Sequence, residues 1–177
     1  NFLTMNCVFK YCSFFLIFLY SCSEPLDASK VEVKEMLLDV NSEEPLSLIV
    51  PAGAVEFPGA DLEDMLGMYS VYSKKVRMED FAIEIEFITL SGINLQEIVQ
   101  EKLEEIKVDS DAFRLIKMNE DGFLFEKKEI NGDLNYGFIK LKVFKNKYAS
   151  IFPEPKPDGN TSLEEANYML DILNRNL

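Results

Sequence analysis

The sequence predicts an α+β fold, in which one central antiparallel sheet of about six to seven strands is covered by two main helices. Three observations carry that expectation. Within residues 81–88, Phe81, Ile83, Ile85 and Phe87 alternate with small or polar Ala82, Glu84 and Glu86. Residues 94–107 change to helical spacing. Downstream, Asn131-Gly132 and other turn signals join short β-rich runs into hairpins, which makes those strands antiparallel.

Taken in chain order, the N-terminus reads as a targeting segment. Lys10 supplies a positive start, and Cys12 to Tyr20 is an apolar run. That run falls short of the roughly 20 apolar residues a spanning helix needs and fits the core of a signal peptide. Met5 is the expected translation start. After Cys22 the character reverses, with Glu24, Pro25 and Asp27. Residues 1–21 are therefore expected to form a signal peptide, residues 22–44 a tether and residues 45–177 one domain. Within the tether, Met36-Leu37-Leu38 is the only apolar cluster, and its spacing fits a short strand or an early helix equally.

Pro45 opens a strand over residues 46–50, which Pro51 and Gly53 stop. Residues 52–66, with Pro58, Gly59 and four acids, read as a loop with a helical turn capped by Asp61. Residues 67–72 are β-rich. In residues 81–88, Phe81, Ile83, Ile85 and Phe87 form one buried face, opposite Ala82, Glu84 and Glu86. Leu95, Ile98, Val99, Leu103 and Ile106 make the stripe of an amphipathic helix, and its acidic outer face suits solvent rather than a membrane surface. Strands are expected at 113–118, 123–130, 134–144 and 148–152. Pro153, Pro155 and Pro157 end the sheet. A last helix, from Thr161 to about Arg175, starts with Thr161 as cap and Glu164 three residues later.

Composition limits the chemistry. The chain has 177 residues, 31 acidic and 18 basic, for a net charge of −13. A nucleic-acid binder needs a basic face, so nucleic acid is not an expected partner. The chain has no His, and its three cysteines are Cys7, Cys12 and Cys22. Ser-His-Asp and Cys-His catalysis and His- or Cys-based zinc sites are thereby excluded from the domain, as is an internal disulfide. Ser73-Lys74 is the nearest approach to a Ser-Lys pair, without a supporting motif. Asn119-Glu120-Asp121-Gly122 is too short for a calcium loop, and the two carboxylates of Asp109-Ser110-Asp111 read as a polar loop after the helix rather than a divalent-ion site. No Gly-rich phosphate loop is present. No metal, cofactor or catalytic residue is expected. Tyr69 and Tyr72, an odd number of residues apart on one strand, point to opposite faces. One is expected to enter the core and the other to line a binding surface.

Leu19-Tyr20-Ser21-Cys22 resembles a bacterial lipobox, with an aliphatic residue three before the cysteine and a small residue just before it. The resemblance implies cleavage between Ser21 and Cys22, a diacylglycerol on the Cys22 thiol and a further, N-terminal acyl chain. That makes a stable anchor, since one chain alone binds marginally. The processed chain would carry 31 acids and 17 bases, because residues 1–21 hold only Lys10. Ser23 after the cysteine implies the outer rather than the inner membrane. The strand ending in Val50-Pro51, the long meander and the closing helix with Ser162-Leu163-Glu164-Glu165-Ala166 resemble the Mog1/PsbP-like group, which includes DcrB-type lipoproteins. That resemblance covers residues 45–177 and implies an α/β/α sandwich. It also implies a non-enzymatic binding or assembly factor of the cell envelope, with an envelope protein as partner. A carrier of an apolar small ligand, held between sheet and helix, is the second expectation. A carboxylate-based envelope hydrolase is the third.

Overall fold

The structure, a computed structural model, describes residues 25–40, 42–63, 70–89, 92, 94–108, 112–129, 132–156 and 160–175. The expectations at Ser21, Cys22, Tyr69 and Asp109 to Asp111 lie outside the described residues.

Nine strands and two α-helices are described. They are β1 (Val33–Leu38), β2 (Leu46–Pro51), β3 (Val55–Glu63), β4 (Ser70–Met78), β5 (Phe81–Thr89), α1 (Leu95–Val108), β6 (Ala112–Asn119), β7 (Gly122–Lys128), β8 (Leu134–Val143), β9 (Lys147–Pro153) and α2 (Leu163–Leu173). Strands β3 to β9 make one seven-stranded sheet in the order β3-β4-β5-β9-β8-β7-β6, with every neighbouring pair antiparallel. After β5 the chain crosses to the far edge through α1, then returns as a meander until β9 pairs with β5. The α+β class, with a central antiparallel sheet and two helices, is as the sequence predicts.

The alternation in β5 shows directly in burial. Phe81, Ile83, Ile85 and Phe87 are fully buried, while the residues between them are half-buried. They face α2 and the separate β1–β2 hairpin, and together these build the larger core. Burying each such Phe stabilises the fold by about 1.5–3 kcal/mol. On the other face, Ile98, Val99 and Leu103 of α1 pack on Phe123, Phe125, Ile139, Leu141 and Tyr148. The sheet is thus sandwiched between α1 on one side and α2 with the hairpin on the other.

Four expectations change. The segment assigned to a tether is folded from Leu26 onward. Leu26, Ala28, Val31, Val33 and Met36 pack against the core, and Leu38 is fully buried. Its apolar residues are too few to stand alone, and pairing with β2 (Met36 with Leu48, Leu38 with Leu46) supplies the rest of the surface. The loop expected over residues 52–66 is instead the edge strand β3 through Glu63. Pro58 is tolerated because, among the described residues, β3 has a partner strand on one side only, and the register shifts between Pro58 and Asp61. A Cβ on Gly59 would come within 2.0 Å of the Ser73 hydroxyl, so glycine there is a close approach and not a turn. Five strands, not three, precede α1. Finally, the cap of α2 is Ser162 with Glu165, one residue later than Thr161 with Glu164.

Candidate functional site

The helix α1 ends before the sheet does. Beyond Ile106, the sheet surface continues as Phe125, Ile139 and Phe152, leaving a cavity of about 420 Å³ open at one side. This lies within the usual size range of small-molecule sites. Among the described residues α1 contributes only Ile106 to the wall, and the rest comes from β7, β8, β9 and residues 153–156, 160 and 161.

The floor is set by strand register. Phe125 pairs with Gly137, and a Cβ there would come within 2.6 Å of the Phe125 ring. The absent side chain lets the ring lie across β8, where it also meets Phe113 and Phe123 at 5.8 Å between centroids. Two positions along, on the same face, Lys127 pairs with Asn135, and these form part of the polar rim.

Among the described residues, every charge on that rim is already neutralised. Glu129 accepts hydrogen bonds from the Asn135 amide at 3.0 Å and faces the Lys127 ammonium at 3.1 Å. These two contacts lower its carboxyl pKa. The Asn135 oxygen accepts from the Thr161 backbone N–H at 3.0 Å, and the Thr161 carbonyl accepts from the Tyr136 N–H at 2.9 Å. The start of α2 is thereby pinned to β8. Glu154, just past β9, is only 9% exposed. Both its oxygens are occupied. Arg77 grips it through Nε at 2.5 Å and through Nη2, and Lys75 Nζ donates at 2.9 Å. The Arg77 hydrogen bond, aided by Lys75, holds the Glu154 carboxyl below its ordinary pKa despite burial. Lys156 Nζ donates to Glu165 at 2.6 Å.

Of the residues singled out in the sequence, Tyr72 is half-buried against the larger core. Its ring stacks on Phe87, with centroids 4.8 Å apart and planes 9° apart. Its hydroxyl bonds the Asp39 carboxylate, and burial together with that carboxylate pushes the phenol pKa well up. Asp39 also pairs with Lys147, whose ammonium lies 5.6 Å from the Phe87 ring centre. This group ties the β1–β2 hairpin to the sheet, on the face opposite the cavity. Tyr72 therefore serves packing. Ser73 and Lys74 do not form a pair. Ser73 donates to Glu84 at 2.8 Å and accepts from the Ala60 N–H at 2.9 Å, while Lys74 binds Glu56.

The sequence did not single out Phe125, Ile139, Phe152, Glu154 or Asn135. The one local hint was Gly137 inside a strand, since such a glycine marks a close approach of other atoms. Among the described residues no three of His, Cys, Asp and Glu gather as a metal site needs, and no helix is long and apolar enough to cross a membrane. Compared with protein-family models, curated proteins and solved structures, the chain finds no match in any of the three.

Proposed function

We propose that this chain is a lipid-anchored, non-enzymatic binding factor of the bacterial cell envelope, and that the cavity beyond the C-terminal end of α1 holds a neutral, largely apolar ligand. The observation that carries the reading is the pairing of an apolar floor with a rim whose charges, among the described residues, are all spent. Each rim cation faces a carboxylate and each rim carboxylate faces a cation. A charged ligand would lose hydration in the cavity and find no free counter-charge, at a cost of several kcal/mol. A neutral ligand meets no such penalty. The anchor rests on the lipobox-like residues up to Cys22, and the Mog1/PsbP-like resemblance fits a binding role on the same grounds.

A carboxylate-based hydrolase fits the rim poorly. General-acid catalysis needs a carboxyl held protonated near neutrality. Glu129 and Glu154 are both shifted the opposite way, by Asn135 and Lys127 in one case and by Arg77 and Lys75 in the other.

The test of the ligand class is a fluorescence titration of the full chain with neutral N-phenylnaphthylamine beside the anionic anilinonaphthalene sulfonate. Saturable one-to-one binding of the neutral probe, with weak binding of the anion, is the expected result. Preference for the anion would sink the neutral-ligand reading, and binding of neither would sink the cavity as a site.

A further inference from the structure

We propose that β6, the outer strand of the meander, accepts an extended segment of an acidic partner protein as an added strand of the sheet. This rests on the sheet margin and not on the cavity. Among the described residues no strand lies on the outer side of β6, so backbone N–H and C=O groups face outward on either side of a register shift between Leu115 and Lys117. The side chains there are unusual for a free edge. Leu115, Ile116 and Met118 are 40%, 37% and 41% exposed.

The register sorts β6 into two faces. Leu115 and Met118 lie beside Phe125 and Phe123, on the α1 side. Arg114 and Lys117 lie beside Glu126 and Leu124, on the α2 side. From Ala112 to Asn119 the strand holds two cations and no acid, in a chain of net charge −13. Arg114 is already held by Glu126 at 2.8 Å, so an added strand that alternates apolar and acidic residues would cover Leu115 and Met118 with one face and meet the Lys117 ammonium with the other. The opposite edge, β3, is guarded differently. Pro58 removes an N–H from its middle, and Glu56 and Asp61 make it acidic. A second copy of this chain is the poorer occupant of β6. Antiparallel self-pairing would crowd two sets of Arg114 and Lys117 on one face, between two strongly acidic molecules.

The test is hydrogen exchange of the full chain, read by mass spectrometry, with a capped octapeptide of alternating valine and glutamate. Slowed exchange over residues 112–119, absent with the valine–lysine counterpart and lost in Lys117→Glu, is the expected pattern. The Lys117→Glu change lies on an exposed strand edge, so the melting curve should be retained and the loss read as lost binding. Unchanged exchange over β6, equal protection by the lysine peptide, or protection confined to other strands would overturn the proposal. So would protection of β6 that rises with protein concentration alone, since a second copy would then be the occupant.

Discussion

Two residues near the cavity do work that their neighbours cannot. Gly137 leaves room for the Phe125 ring, and a methyl group would sit 2.6 Å from it. Gly137→Ala is expected to push the ring aside and destabilise the fold by about 1–3 kcal/mol, measured by chemical denaturation. Glu154 is the acceptor shared by Arg77 and Lys75. Its carboxyl pKa is lower in the folded chain than in the unfolded one. The stability it contributes is therefore fully present above the unfolded pKa and is lost as pH falls through the folded value. Glu154→Gln should cost about 1–2 kcal/mol at neutral pH, with the gap from wild type closing below about pH 4. Parallel urea melts of both proteins across that pH range check the sign. Neither residue was legible as a site. The Pro153-Glu154-Pro155 run marks the end of the sheet, but nothing local says that Glu154 turns back to partners 77 and 79 positions away.

Among the elements, those with a strong local period were readable from sequence. Strand β5 alternates without a break, α1 keeps its stripe, and the hairpin signals of the meander hold. Strand β3 was not readable, because Pro58 and Gly59 are loop signals everywhere except at an edge with a register shift. The proline's missing N–H costs nothing where no further strand needs it. Strand β1 was ambiguous for a different reason. Leu37 and Leu38 are adjacent, one 51% exposed and the other fully buried, so no clean period shows until β2 is beside them. The start of α2 was misplaced by one residue, since Thr161 and Ser162 both suit a cap. The hydrogen bonds decide it. The Ser162 hydroxyl accepts from the Glu165 N–H at 3.1 Å, and the Glu165 carboxylate accepts from the Ser162 N–H at 2.8 Å. Ser162→Ala is expected to lower stability by about 1 kcal/mol, seen as a lower melting temperature with unchanged helix content at 25 °C.

For the whole molecule, the decisive feature is unequal coverage of the two sheet faces. The α2 side carries a helix, a hairpin and the larger core, whereas the α1 side carries one 14-residue helix on a seven-stranded sheet. The cavity is the consequence of that shortfall, which is why it is invisible in any one stretch of sequence. Phe125, Ile139 and Phe152 each read as ordinary strand residues until β7, β8 and β9 are set side by side. Among the described residues, packing on the core starts at Leu26, four positions after Cys22, so lipidation at Cys22 would hold the domain close to the membrane. Intact mass of the protein extracted from host membranes, beside Cys22→Ala, should give an acylated chain starting at Cys22 that the variant lacks. An unmodified chain would remove the envelope from the account. The claim that the cavity is the binding site is tested most directly by titrating N-phenylnaphthylamine into wild type and Ile106→Trp, whose indole would block the mouth. The account predicts saturable binding to wild type and its loss in the variant, with the melting temperature retained. Equal binding to both proteins would contradict it.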